Sequence, residues 1–301
     1  MKPGRKITQG FFAKITVMKS FLKRFILIAI FLLSSSIQAE LLDSQLLPSL
    51  GNVKYHELKS TQLKRSFHIF VDLPEDYASS DENYPTIYLL DGGITFPLLA
   101  AYHRYLRLGD EVPAAIVVGI TYGGATFEQG NMRSTDFTAA AEERDFWGGA
   151  PVFQSVLRNE LLPMIESNYR SDPQRRVIFG QSIAGQFVLY TALTQPELFY
   201  AHIASNPALH RNLPFYLQWQ GESDMPDKVS HLFVGNGELN DPRFHLPAME
   251  WVTHWQDIST KPWLLETRVF ADQTHFSAAP ESFRQGLKWL TVVSGSRKKN
   301  N

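Results

Sequence analysis

The 301-residue chain contains no cysteine. That removes disulfide staples, Cys-ligated zinc or iron–sulfur centres, a thiol nucleophile and lipid attachment through sulfur. An excess of either charge is also missing, since 29 Lys and Arg stand against 30 Asp and Glu. So near-neutral a balance lacks the basic footprint of a nucleic-acid binder. No apolar run reaches the ~20 residues that a membrane-spanning helix needs. Internal repeats and low-complexity linkers are absent too. Hydrophobic residues make up 44% of the chain, which is too apolar for a disordered one.

A local absence is as informative. No acid occurs before Glu40, whereas Lys2, Arg5, Lys6, Lys14, Lys19, Lys23 and Arg24 all precede it. An apolar run at 25–33 follows, then serines at 34–36 and the small residue Ala39. A basic start, a short apolar middle and a small-residue end predict a removable export signal over 1–39. Met18 is an alternative start, and a retained membrane anchor is the competing reading. The expected product is a single domain, 40–301, in the periplasm or outside the cell. Removing 1–39 takes 7 basic residues and no acid, so 22 bases face 30 acids and the body carries about −8. An acidic body exerts no overall pull on anionic substrates. The basic end, Arg297-Lys298-Lys299, is expected to fray in solvent.

Two kinds of apolar pattern alternate along the body. Short β-branched runs at 55–60, 67–73, 86–90, 114–120, 176–179, 200–205, 231–234 and 264–270 predict strands of a mainly parallel sheet, buried on both faces. Between them, residues 152–169 carry Phe153, Val156, Leu157, Leu161, Ile165 and Tyr169 on one helical face. Further helices are expected at 183–193, 246–258 and 281–293. Alternating β and α elements predict an α/β fold with helices on both sides of one sheet.

Residues 176–190 read as strand, sharp turn and helix, with Ser182 at the apex between Gly180 and Ala184. Small residues two positions either side of a serine fit a nucleophile elbow. The turn is strained, and a larger side chain at either flank would strike the adjoining strand or helix. Ser182 would then sit at a helix N-terminus, with the Ile183 N–H aimed at a developing oxyanion. The competing reading is an ordinary helix N-cap serine.

A serine hydroxyl is barely ionised at neutral pH and needs a base. In this topology the acid and then the histidine follow the serine in sequence. His275 lies on the loop between the last expected strand and the last expected helix, where the base belongs. His231 falls in a strand. His245 and His254 fall on or near a helix, without metal-ligand spacing. The acid should follow the 231–234 strand, and the loop there offers Glu238 and Asp241. Spacing leaves both open. A second oxyanion donor should come from Asp91-Gly92-Gly93-Ile94, whose glycines let an N–H turn toward the reacting carbonyl. No metal and no cofactor is expected.

Taken together, these segments resemble the putative esterase family of α/β-hydrolases. That family includes enterochelin-type siderophore esterases, esterase D, feruloyl esterases and the antigen 85 acyltransferases. The resemblance covers nearly all of the body. It runs through Val71-Asp72-Leu73-Pro74, Leu90-Asp91-Gly92, Arg133-Ser134-Thr135-Asp136-Phe137 and Glu160-Leu161-Leu162-Pro163. It continues through the elbow, Pro196-Glu197-Leu198-Phe199, Ser205-Asn206-Pro207 and Thr274-His275-Phe276-Ser277. The resemblance implies an acyl-enzyme mechanism, with Ser182 as nucleophile and His275 as general base and then acid. It implies Gly93 and Ile183 as the oxyanion amides. Gly235-Asn236-Gly237 is similar to an antigen 85 loop whose carboxylate lies four residues further on, which favours Asp241 over Glu238. Some siderophore esterases work with a serine–histidine pair alone.

The expected function is an exported serine carboxylic-ester hydrolase acting on a small-molecule ester. An antigen 85-type acyltransferase and a catalytically inactive binding protein of this fold are the alternatives. Aromatic stretches at 144–149 and 212–220 are candidates for either pocket walls or core.

Overall fold

Each short β-branched run forms a strand. The structure, a computed structural model, describes residues 52–142, 144–218, 230–259 and 261–299. The expected export segment, Met18 included, lies outside the described residues, as do Trp219 and Gln220. The strands are β1 Asn52–Lys59, β2 Ser66–Leu73, β3 Tyr84–Leu89, β4 Ile116–Thr121, β5 Ser171–Gln181, β6 Ala201–Ser205, β7 Ser230–Gly237 and β8 Trp263–Phe270. They make one sheet in the order β1-β2-β4-β3-β5-β6-β7-β8. β2 runs antiparallel to β1 and β4, and every later neighbour pair is parallel. β6 and β7 are buried on both faces throughout, and β5 over Val177–Gly180, which is why they read as continuous apolar runs rather than alternating ones.

The strand order decides where a site can form. After β3 the chain moves outward to β4, then returns to place β5 on the other side of β3. Connections therefore leave β3 and β5 toward opposite faces, and a crevice opens beyond their carboxyl ends. Leu89 pairs with Phe179. Gly92 and Ser182 thus each lie three residues past paired positions on adjacent parallel strands.

Helices cover both faces. On one face, α1 (Gly92–Arg107) and α8 (Ala278–Lys299) bury Phe96, Leu99, Leu106, Phe283 and Leu287 against Ile87, Phe179 and Phe233. Each such side chain contributes roughly 1.5–3 kcal/mol on burial. On the other face lie α3 (Ala150–Val156), α4 (Leu162–Asn168), α5 (Ile183–Thr194) and α7 (Pro242–Asp257), with Phe153, Ile165, Phe187 and Trp251 buried. α5 is buried along its whole length up to Leu193, as a helix apolar all round must be. Two short helical turns, α2 (Arg133–Asp136) and α6 (Leu213–Tyr216), complete the set.

Several expectations are corrected. Gly92-Gly93 opens α1 rather than only making a loop. The apolar spacing of Phe96, Leu99, Ala100 and Leu106 drives that helix, despite two weak helix formers at its start. The expected 152–169 helix is split by a π-helical turn, Leu157–Leu161. Pro163 has no N–H to donate to the Asn159 carbonyl, so the regular ladder breaks there. α7 starts four residues earlier than expected, because Asp241 caps it and Pro242 takes its first position. α8 continues to Lys299 rather than fraying after Val293.

Candidate active site

β5 ends at Gln181, α5 starts at Ile183, and Ser182 alone makes the turn. Its backbone has φ 60° and ψ −119°, a conformation that costs a residue with a Cβ about 1–3 kcal/mol. Three backbone hydrogen bonds hold it there. Ser182 N–H donates to Ser205 O at 3.0 Å, while Ser182 O accepts from Gln186 N–H at 2.9 Å and Ala208 N–H at 3.1 Å. The flanking residues have to be small for a measurable reason. A Cβ at Gly180 would lie 2.3 Å from Ala184 O, and one at Gly185 3.0 Å from Ser205 O. The Ser182 hydroxyl makes no capping bond to α5. The strain therefore serves no cap.

Beyond β3, Asp91 sits in the left-handed region with φ 53°. Arg133 grips its carboxylate with two hydrogen bonds, Nε to Oδ1 at 2.8 Å and Nη2 to Oδ2 at 2.6 Å. Planar two-point pairing of this kind fixes the carboxylate's orientation as well as its charge. Asp136, on the same turn as Arg133, accepts from Arg65 and from the Tyr122 hydroxyl. Gly92 is pressed onto β4, where a Cβ would lie 2.5 Å from Ile120 N. Gly93 and Ile183 both occupy the first turn of a helix, where amide N–H groups have no acceptor within the helix. The two expected oxyanion amides thus lie at the starts of the helices that follow the adjacent strands β3 and β5, at the crevice between them.

His275 stands on the loop after β8, and that loop is tied directly to the elbow. Gln181 Nε2 donates to His275 O at 2.6 Å, and Asn206 Nδ2 donates to the same carbonyl at 2.9 Å. Gly237 permits the close approach, since a Cβ there would lie 2.4 Å from Gln273 O. Among the described residues no hydrogen bond joins Ser182 Oγ to the imidazole. Such bonds are commonly long without substrate.

Neither expected acid touches the histidine. Asp241 spends its carboxylate on the α7 N-terminus, accepting from Arg243 N–H at 2.8 Å. Glu238 accepts from Asp272 N–H at 3.2 Å. The imidazole partner is Asn240, whose Oδ1 lies 3.1 Å from His275 Nδ1. Asn240 was not among the sequence candidates, because a triad reading looks for a carboxylate.

Asn206, fully buried, fixes every orientation in this set. Its Oδ1 accepts from Gly237 N–H at 2.8 Å, and its Nδ2 donates to His275 O. A backbone N–H can only donate and a carbonyl can only accept, so this amide has one possible orientation. The group that Asn240 turns toward Asn206 Oδ1, at 3.2 Å, must then be its NH₂. Asn240 Oδ1 is left facing His275 and accepts, so Nδ1 carries the proton. Nε2 keeps its lone pair, as a general base requires.

Burial holds the His275 pKa below its ordinary value. The Arg243 charge adds to the effect and Asp241 partly opposes it. Burial and the Arg243 charge both favour the neutral imidazole. Phe244 stacks on it with ring centroids 4.6 Å apart. Of the aromatic stretches, Phe215 stacks on Tyr190, and Tyr216 is fully buried. Both belong to the core. Phe146 is exposed, and Trp147 lies beneath Arg211.

The family model described as "Putative esterase" matches residues 60–299. The ferri-bacillibactin esterase of Bacillus subtilis is 34% identical over 259 residues, covering 79% of this chain and 89% of its own. The apo-salmochelin esterase of Escherichia coli is 27% identical over 175 residues, covering 54% of each chain. Among solved structures, a serine hydrolase from Shewanella oneidensis matches with a TM-score of 0.68 at 24% identity, over 79% of this chain and 80% of that one.

Proposed function

The chain belongs to the "Putative esterase" family and is a serine esterase of the α/β-hydrolase fold, and from that premise we propose that Ser182 is its nucleophile and His275 its base. Ser182 Oγ attacks the ester carbonyl carbon as its proton passes to His275 Nε2. The tetrahedral oxyanion is held by the N–H groups of Gly93 and Ile183. Removing one donor of this kind typically costs about 3 kcal/mol of transition-state stabilisation. The C–O bond breaks as Nε2 returns the proton to the leaving alcohol. Water, deprotonated by the same nitrogen, then cleaves the acyl-serine ester and restores the enzyme.

Asn240, rather than a carboxylate, orients the imidazole. A neutral acceptor still selects the tautomer, but it stabilises the transient imidazolium less than a carboxylate does. The reading therefore amounts to a serine–histidine pair with an amide as its positioning group. One observation carries the proposal. A strained serine at a helix start caps nothing, and its backbone is locked by three hydrogen bonds.

The substrate class that the relatives' names suggest is ester-linked siderophores. We place the protein outside the cytoplasm, on the strength of the 1–39 pattern. Among the described residues no helix is long and apolar enough to cross a membrane. The test is hydrolysis of p-nitrophenyl butyrate and of ferri-bacillibactin by the wild type and by Ser182→Ala. Products of the second substrate are followed as the gain of one water per bond cleaved. Ser182→Ala should lose at least about 10³-fold on both. Equal rates in the two proteins would remove Ser182 from the mechanism.

A further inference from the structure

The acidic body conceals a local reversal of sign beside the histidine. Arg243 lies with its guanidinium carbon 4.6 Å from the Phe244 ring centroid, on the residue that stacks against His275. His210 meets the same Phe244 edge-on at 4.8 Å, and Arg211 Nε lies 3.4 Å from His210 Nε2. The Arg211 guanidinium in turn lies 5.5 Å from the Trp147 ring. Arg243 acts directly on the imidazole, and Arg211 is linked to it through His210 and Phe244.

Arg65, Arg176 and Arg284 each meet a carboxylate, and Arg107 and Arg170 donate to backbone carbonyls. Among the described residues, Arg211 and Arg243 form no ion pair, and neither does Arg144 on the neighbouring aromatic loop. Burial lowers the Arg211 pKa, and so do the charges of Arg133, Arg144 and Arg243, so these cations sense one another. Asp241, whose charge acts on His210 and His275, already caps α7. Guanidiniums held on aromatic faces and left without counterions are suited to binding oxyanions at two points. Holding like charges together is unfavourable unless a ligand offsets it.

We propose that Arg211 and Arg243 form an anion-binding subsite beside His275, which selects ester substrates carrying an oxyanionic group near the bond to be cleaved. This inference deepens the esterase reading and rests on it for the location of the scissile bond. The subsite's selectivity arises from local field, not from the net charge of the body, which would repel such a substrate at long range.

Two arms test it. The first measures binding without chemistry. Ser182→Ala protein is titrated at low ionic strength with benzene-1,3,5-tricarboxylate and with the neutral benzene-1,3,5-trimethanol. The tricarboxylate should bind at least tenfold more tightly. That preference should shrink with added salt and disappear in Ser182→Ala carrying Arg211→Gln and Arg243→Gln. An Arg243→Lys version, which keeps the charge and loses the fork, should retain part of it. Equal binding of the two probes by the Arg-intact protein overturns the subsite, whether or not any ester is cleaved.

The second arm compares p-nitrophenyl hemisuccinate with p-nitrophenyl butyrate in otherwise wild-type enzyme. The ratio of their kcat/KM values should exceed one and fall about tenfold in the double arginine variant. Because a ratio cancels losses common to both esters, partial misfolding does not imitate the effect. A ratio unchanged by the arginine substitutions contradicts the proposal. If neither ester is hydrolysed while the tricarboxylate preference holds, the esterase reading fails and the anion site stands.

Discussion

Ser182 and His275 are placed in two different ways. The serine is held by backbone: a left-handed turn, three main-chain hydrogen bonds, and glycines whose missing Cβ atoms leave room for neighbouring carbonyls. The histidine is held by side chains: Gln181 and Asn206 pin its carbonyl, and Asn240 accepts a hydrogen bond from its ring. A backbone-built position depends on what residues lack. An amide-built position depends on what three particular side chains present, and on the direction each amide points. The first should fail as a fold, and the second as an alignment.

Gly180→Val should break the serine side most completely. Its Cβ would meet Ala184 O at 2.3 Å, and two backbone segments would have to part. The expected result is a loss of more than ~2 kcal/mol of stability, at the upper end of overpacking costs, with esterase activity lost in whatever protein folds. Chemical denaturation beside an activity assay checks this. A stable, active Gly180→Val protein would mean that the elbow does not need its close approach.

Asn206→Ala should strike the histidine side next hardest. It strips the partner from Gly237 N–H and from the Asn240 amide, and one of two donors from His275 O. Unpaired buried groups of this kind cost about 1–3 kcal/mol. Because Asn240 is then free to turn, kcat/KM should fall more than the stability loss alone would cause. Wild-type kcat/KM in a folded Asn206→Ala protein would show that the histidine does not depend on this amide.

A smaller effect is expected from Arg243→Gln, read as a pH profile with a neutral ester. The His275 pKa is held down by burial and by the Arg243 charge. In the wild type, the acid limb of kcat/KM should therefore lie below the ordinary histidine value of about 6.5. Removing the cation lets the imidazole protonate more readily, so the limb should move to higher pH. An unmoved limb, or a shift in the opposite direction, would mean that the Arg243 charge does not act on the ring.

The same contrast explains what could be read from sequence. β3, β4, β6, β7 and the end of β5 were legible because burial on both faces leaves continuous apolar runs. Ser182 was legible because its turn excludes Cβ atoms, which leaves Gly180 and Ala184 in the sequence. His275 was singled out by chain order and by its loop between the last strand and the last helix. Asn206 and Asn240 were not, since an asparagine's role here depends on a hydrogen-bond chain assembled from β6, the loop after β7 and the loop after β8. Asp241 carries a second reading for a related reason. Asp followed by Pro is also what starts a helix, and α7 uses it that way. The start of α1 was hidden by two glycines that disfavour helix but fit against β4. The arginine cluster was hidden by summed charge, which carries no information about place.

The central claim is that an amide, not a carboxylate, aligns the base on the serine. Its most direct test is the rate at which a fluorophosphonate probe labels Ser182, followed by intact mass and peptide mapping in Asn240→Ala and in Asp241→Ala. Asn240→Ala should label at least about tenfold more slowly than wild type. Asp241→Ala should label within about twofold of wild type, while losing roughly 1 kcal/mol of stability as its helix cap is removed. The reverse order, with Asp241→Ala slow and Asn240→Ala unaffected, would contradict the account.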